Sequence, residues 1–339
     1  MFTPQSRLFF YKTLSANKPV TVSLDVHDKS TYMYAVNIET GELLMDQRIT
    51  GHYRNTLKHL KQLCVNSSKI LILYEAGPHG FAPYRLFEKH GYSSKVIAPV
   101  SIVRDSSKQK SDRDDAINNL SLYAGGFLSF VCIPEKSMED ARDCLRYRTK
   151  TVWEITREKQ QIHSLIKRQG IEYTQTKSFW TKTHYAWLRT VEVSDCTRIL
   201  LNAHLQNIST LEQQSHDIEK SLMVYFQSNP QCERLLQSYQ KIRGVGLIYA
   251  MTLVLEAGDL RRFSHPNKIM KFVGLLPGRK QSGEKDPNMR ITKNGNKFLR
   301  TVLVGIAKKY TDHRLLYSKK QMEQMSEIER SFFIKMQNR

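Results

Sequence analysis

The sequence has little with which to build a metal ribbon or a disulfide framework. Its five cysteines (Cys64, Cys132, Cys144, Cys196 and Cys232) are odd in number and no two form a C-x-x-C pair, which argues against both. Long hydrophobic runs are also missing. The longest nearly apolar stretch, Val245 to Leu255, stops at Glu256, short of the roughly 18 residues that span a bilayer. The first twenty residues carry scattered charge and no apolar core ending in a small-residue cleavage site, so no secretory leader is expected. A Walker-type phosphate loop is absent too, which fits chemistry that needs no ATP. These absences imply a reducing, cytoplasmic setting and no membrane partner. Acidic residues are scarce relative to basic ones, 32 Asp+Glu against 52 Lys+Arg in 339 residues, for a net charge of +20. Such an excess attracts a polyanion, and nucleic acid is the commonest one in that setting. Passive binders share the property, so charge alone does not make an enzyme. With 40% hydrophobic residues the chain can build packed cores, and its length suggests two or three domains.

Three β-branched or alternating runs open the chain, Val20 to Val26, Thr31 to Asn37 and Glu42 to Ile49, separated by short polar turns. They predict an antiparallel meander. A helix is expected over His52 to Cys64, a strand over Ile70 to Tyr74, a helix around Pro83 to His90 and a strand over Lys95 to Ala98. A helix from Arg113 to about Ala124 and a strand over Ser129 to Ile133 complete the set. Three strands followed by alternating helix and strand is the order of an RNase H-like, or RuvC-like, α/β domain, placed over residues 1–136. From Ser137 to about Gln227 long polar helices replace the strands, interrupted near Gly170 to Thr183. Leu201, Ile208, Ser215 and Leu222 recur every seven residues, as do His204, Leu211, Ile218 and Tyr225 three positions later. That is an a/d seam, so residues 137–228 read as a helical coiled-coil linker, closed either within the chain or between chains. Asn229 and Pro230 open a mainly helical, basic third region, residues 229–339, whose tail from Asp312 reads as a polar helix.

Four carboxylates stand where a metal site could form. Asp25 ends the first strand inside Leu24-Asp25-Val26, where an unpartnered charge would cost several kcal/mol. Glu75 ends the strand expected to lie beside it. Asp112 and Asp115, three apart at a helix start, share a face. Oxygen donors without cysteine favour Mg²⁺ or Mn²⁺. Each residue alone has an ordinary reading: Asp112 as an N-cap, Asp115 as a first-turn acid, and Asp25 and Glu75 as turn residues.

In the third region Ile242-Arg243-Gly244-Val245-Gly246-Leu247 has the form of a helix-hairpin-helix turn whose amides, at Gly244 and Gly246, face a phosphate. A plain helix–helix turn has the same pattern. Between Arg261 and Arg300 eleven Lys or Arg stand against two acids, a one-signed density that a polyanion would neutralise. Arg279, Lys280, Lys285, Arg290, Lys293, Asn296, Lys297 and Arg300 are the candidate nucleic-acid ligands. Ser282, followed by Gly283 and surrounded by cationic groups, could attack a phosphate, although no histidine base adjoins it.

Leu-Asp-Val-His-Asp-Lys-Ser around Asp25, Tyr-Glu-Ala-Gly around Glu75 and Lys-Ser-Asp-Arg-Asp-Asp-Ala around Asp112 and Asp115 resemble the four acidic positions of the DEDD transposases of the IS110 insertion-sequence family, which includes Piv-type DNA invertases and bridge-RNA-guided recombinases. The glycine-rich turn near Gly244, then LPGRKQSG and RITKNGN, follow that family's transposase domain in order and spacing. The resemblance implies a prokaryotic, nucleoid-associated recombinase. In it Ser282 is the DNA nucleophile, Asp25, Glu75, Asp112 and Asp115 hold Mg²⁺, and a structured noncoding guide RNA pairs with donor and target DNA. Leu24, Asp114 and Gln281 depart from residues common in the family. Two other functions compete: a RuvC-like junction nuclease in which Ser282 is a spectator, and a catalytically silent nucleic-acid-binding factor. Strand exchange between two duplexes further implies a homo-oligomer, a dimer of dimers being the simplest closed form, with the helices of residues 137–227 as its expected contact.

Overall fold

The computed structural model describes residues 20–63, 66–99, 102, 111–277 and 290–311, in two compact units, Met1–Pro134 and Glu135–Arg339. The first unit is a mixed five-stranded sheet of order β3-β2-β1-β4-β5 with helices on it. Strands β1 (Val20–Val26), β2 (Ser30–Asn37) and β3 (Leu43–Thr50) form the antiparallel meander. Helix α1 (Thr56–Leu63) leads to β4 (Ile70–Glu75), which lies parallel to β1, and helix α2 (Ala82–Lys89) leads to β5 (Ser93–Ile97), parallel to β4. Helix α3 (Asp112–Ala124) follows. The segment Ser129 to Ile133, expected as a strand, is not one. It makes a single antiparallel bridge, Ile97 to Phe130, with bonds from Ala98 N–H to the Ser129 carbonyl (2.9 Å) and from Val131 N–H to the Val96 carbonyl (2.8 Å).

Strands β1 and β4 are buried over their first five residues, as strands covered on both faces must be, and only their C-terminal ends are half-buried. Side chains alternate between those faces. Val20, Val22 and Leu24 of β1 and Ile70, Ile72 and Tyr74 of β4 join Leu60 of α1 and Phe87 of α2 in one cluster. Leu71 and Leu73 of β4 join Leu120 of α3 in another. The buried Thr21 and Ser23 belong by parity to the α3 face, which stays small there. Their hydroxyls have no hydrogen-bond partner among the described residues.

The second unit is helical. Helix α4 (Lys136–Arg168) and helix α6 (Asp195–Ser228) form an antiparallel hairpin, with α5 (Lys182–Thr190) at its tip. The heptad seam is closed inside this hairpin: Leu201 and Ile208 pack with Ile155, Ile162 and Leu165 of α4, while Leu222 packs with Ala141 and Leu145. The expectation that the seam joins two protomers is corrected accordingly, because its apolar positions are already covered by the same chain. Pairs along the hairpin, Arg148 to Glu219 (2.7 Å) and His204 to Glu158 (2.6 Å), fix the register.

Beyond it, α7 (Pro230–Gln240), α8 (Leu247–Thr252), α9 (Pro266–Val273) and α10 (Lys297–Thr311) enclose the apolar run, with Ala250, Met251, Val254 and Leu255 at most 2% exposed. Helix α8 continues as a π-helical turn, Leu253–Ala257, that carries Glu256 into the interior. The Glu256 carboxylate accepts two bonds from Arg146 (2.7 and 2.8 Å) and one from the Asn296 amide (2.6 Å), and Arg142 donates to the neighbouring Leu255 carbonyl (2.7 Å). A buried carboxylate is tolerated only with such partners. Glu256→Ala leaves two cationic groups facing an empty site, so unfolding free energy should fall by about 3–5 kcal/mol in urea titration, whereas Lys136→Ala, which removes an exposed i,i+4 pair, should change it by less than about 0.5 kcal/mol.

Candidate metal centre

Parity and register put the predicted acids on one side of the sheet, where Asp25 and Asp112 come together. Leu24 of β1 pairs with Tyr74 of β4 in parallel register, so Asp25 and Glu75 are the next residues of adjacent strands. Both fall on the face opposite the Leu24 and Tyr74 side chains, the face covered by α3. Helix α3 supplies the others. Its N-cap is Ser111 rather than Asp112: the Ser111 hydroxyl accepts from the Asp114 N–H (3.1 Å) and donates to the Asp114 carboxylate (2.6 Å). Ser111 and Asp114 form the capping arrangement, which leaves Asp112 and Asp115 free of that duty.

A clamp holds the helix start on the sheet. Arg113 donates twice to one oxygen of Asp46 on β3 (2.8 and 2.6 Å), and the hydroxyl of Tyr32 on β2 donates to the other (2.6 Å). Bonding from Arg113 holds the Asp46 carboxyl below the usual range. With α3 so placed, the Asp112 carboxylate lies 2.8 Å from Arg48 and 3.5 Å from Nε2 of His27, which is 3.2 Å from the Asp25 carboxylate. One donor atom each from Asp25, His27 and Asp112 lies within 4.8 Å of the others. Glu75, on the next strand, and Asp115, on the same helix face, are both half-buried and lie outside the group whose donor atoms meet.

His27 is the member that sequence reasoning missed. Its signal was the two-residue spacing from Asp25, which puts both side chains on one side of an extended chain. Burial pushes the Asp25 carboxyl above the usual carboxylate range; His27 opposes this, and the charges of Asp112 and Asp115 add to it. Like charges held this close call for a cation. The donor set fits a divalent metal, with hard oxygens suited to Mg²⁺ or Mn²⁺ and an imidazole better suited to Mn²⁺.

In the basic region the segment bearing Ser282, Arg279, Lys280 and Lys285 lies outside the described residues. The residues flanking it pair with each other. Pro277 bridges to Ile291, Thr292 N–H donates to the Leu276 carbonyl (3.0 Å), and Lys293 N–H to the Gly274 carbonyl (3.0 Å). Gly274, with φ of 70°, has no room for a Cβ, which would lie 2.5 Å from the Asn294 carbonyl oxygen. Two residues expected on the nucleic-acid face are engaged in this stem: Asn296 caps α10 and bonds Glu256, and Arg300 donates to the carbonyls of Val273 (2.8 Å) and Lys293 (3.0 Å). Arg290, Lys293 and Lys297 are exposed, Lys297 lying over the Phe298 ring. Gly244 and Gly246 form the turn between α7 and α8. Gly244 adopts φ of 83°, and a Cβ there would lie 3.1 Å from Lys309 Cβ of α10, so packing accounts for that glycine.

Residues 22–170 match the DEDD transposase family of IS110 elements, and residues 236–323 match the transposase family IS116/IS110/IS902. The chain is 30% identical over 291 residues to the putative transposase y4qE of Sinorhizobium fredii, an alignment covering 85% of this chain and 71% of that protein. It is 26% identical over 260 residues to the transposase for insertion sequence element IS1533 of Leptospira borgpetersenii, covering 75% and 74% of the two chains. It is also 26% identical over 282 residues to the transposase for IS1111A of Coxiella burnetii, covering 81% and 73%.

The raised Asp25 carboxyl has a consequence for stability. A group raised on folding contributes stability below its unfolded pKa and loses it as pH rises through the folded value. Without metal at neutral pH, Asp25→Asn should therefore leave the melting temperature unchanged or higher. The same variant should lose the stabilisation that Mn²⁺ gives the wild type, about 2.7 kcal/mol at a hundredfold excess over Kd. Thermal melts with and without chelator check both halves.

Proposed function

Since the chain belongs to the IS110 family of DEDD transposases, we propose that it cuts and rejoins DNA through a covalent phosphoserine at Ser282, with Asp25, Glu75, Asp112 and Asp115 as the metal-binding set of a RuvC-like domain. The observation that carries this reading is the convergence of Asp25 and Asp112, with His27, at the junction of β1 and α3. The strand order, an antiparallel meander continued by two parallel strands, supports the RuvC-like assignment. Bound Mg²⁺ or Mn²⁺ would neutralise phosphate charge and orient the scissile phosphodiester.

The Ser282 hydroxyl gives up its proton as its oxygen attacks phosphorus, one P–O bond to the deoxyribose breaks, and the departing oxygen takes up one proton in exchange, leaving as a hydroxyl. A hydroxyl from the partner strand then attacks the phosphoserine and releases the serine. The phosphodiester bond energy is retained, so neither ATP nor water is consumed. Arg290, Lys293 and Lys297, with Arg279, Lys280 and Lys285 from the neighbouring segment, supply positive charge to the DNA backbone. A structured guide RNA would select donor and target by base pairing while the protein reads backbone and shape.

Ser282→Ala should abolish rejoining and any denaturation-resistant protein–DNA adduct, with DNA affinity changed less than about twofold, because one hydroxyl adds little to a contact made of many phosphates. An adduct that survives the substitution removes the serine from the mechanism. Metal-dependent cleavage by wild type without any adduct would favour the junction-nuclease reading.

Exchange between two duplexes requires several serines, hence several protomers. With the heptad seam closed within each chain, their contact lies on another surface. Mixing Ser282→Ala with Asp25→Asn protomers distinguishes two arrangements: recovered activity means that serine and carboxylates from different chains act on one phosphate, and a dead mixture of demonstrated hetero-oligomers means that one chain supplies both.

A further inference from the structure

The tip of the α4–α6 hairpin lies between the two family-matched segments, which end at residue 170 and resume at residue 236. Its packing is organised around a cluster of aromatic rings. Tyr173 lies 4.6 Å from His184 and 4.9 Å from Trp187 between ring centroids, Phe179 lies 5.2 Å from His184, and Trp180 lies 5.0 Å from it. His184 is the buried hub. Its Nδ1 accepts from the Trp180 N–H (3.1 Å), and burial holds its imidazole below the ordinary range, in keeping with an acceptor nitrogen.

The rings around the hub are not fully covered. Phe179 is 45% exposed, and Tyr173, Trp180 and Trp187 are half-buried. Trp180 also holds φ of 65°, a left-handed backbone that costs a bulky residue about 1–2 kcal/mol. Helix α5 does not require it, since Thr181 provides the N-cap by accepting from His184 N–H. The surrounding charge is predominantly basic. Lys167, Arg168, Lys177, Lys182 and Arg189 are exposed on the tip, and Lys159 lies over the Trp180 ring at 5.5 Å. Against them stand exposed Glu172, Glu192 and Asp195, together with Glu158, paired with His204, and Glu212, 3.6 Å from Lys159.

Exposed rings within a cationic rim match one chemistry, unpaired bases on a phosphodiester strand, where each stacked base contributes about 1–3 kcal/mol. Duplex DNA offers the phosphates but keeps its base faces inside the stack. Exposed Thr174 and Gln175 beside the rings add side chains able to bond a ribose 2′-hydroxyl, while the Thr176 hydroxyl donates to the Ser178 carbonyl (2.9 Å). We propose that this tip, centred on Phe179 and Trp180, is a docking platform for an unpaired loop of RNA. The proposal rests on the guide-RNA reading for its biological partner.

The test uses the full chain and three labelled probes: an RNA hairpin with a uridine loop, the same RNA fully paired with its complement, and a DNA hairpin with a thymidine loop. Wild type should bind the looped RNA most tightly. Phe179→Ala should weaken that binding about tenfold or more and leave the paired RNA unchanged. Lys177→Glu with Lys182→Glu, which disturbs no ring, should weaken it as well and flatten its salt dependence. The proposal is overturned if both variants bind looped RNA within twofold of wild type, if Phe179→Ala loses paired RNA equally, or if the DNA hairpin binds as well as the RNA one. Full-length element RNA, assayed separately, tests the guide reading: a chain that binds looped RNA through the tip but ignores the element's RNA keeps the platform and loses the guide.

Discussion

Two parallel strands in register, each carrying an acid of the same parity near its C-terminal end, create the central electrostatic problem of this fold. Leu24 pairs with Tyr74, so Asp25 and Glu75 emerge side by side beneath α3, whose first turn carries Asp112 and Asp115. The nearby charges and burial both disfavour ionisation of Asp25. Other features answer that strain: His27 bridges Asp25 and Asp112, Arg48 pairs with Asp112, and the Asp46–Arg113–Tyr32 clamp keeps the helix start on the sheet. The apolar faces of β1 and β4, buried against α1 and α2, provide the rigidity that holds the acids together. A site that is electrostatically unfavourable when empty is well suited to take up a cation.

The helical unit meets a buried charge in the opposite way, by neutralising it completely. Glu256 enters the core on a π-helical turn and is met by Arg146 from α4 and Asn296 from the start of α10. One carboxylate thereby ties three separate stretches of chain together, including the stem beside the Ser282 segment.

Much of the first unit was legible because central strands write their burial directly into β-branched runs, and because Asp25 and Glu75 interrupt those runs at their ends. The segment Ser129 to Ile133 looked equally strand-like, yet only Phe130 finds a bridge partner, beside the sheet edge at β5 and ahead of Pro134. The heptad positions were readable, but a seam pattern does not say which helix covers it, and α4 of the same chain does so here. His27 was hidden because a histidine just past a strand reads as a turn residue. Glu256 was hidden because an acid after an apolar run reads as a helix boundary rather than as its buried end. Asn296 and Arg300 looked like phosphate ligands on composition alone, while their hydrogen bonds lie within the fold.

The claim that joins these observations is that Asp25 and Asp112 close on a divalent ion with His27 beside them. Anomalous-difference density from a crystal of the full chain grown with Mn²⁺ addresses it directly. The account predicts a peak within ligand distance of the Asp25 and Asp112 carboxylates, at the junction of β1 and α3. A chain saturated with Mn²⁺ whose anomalous peak lies elsewhere, with Asp25 and Asp112 still held only by His27 and Arg48, would contradict it.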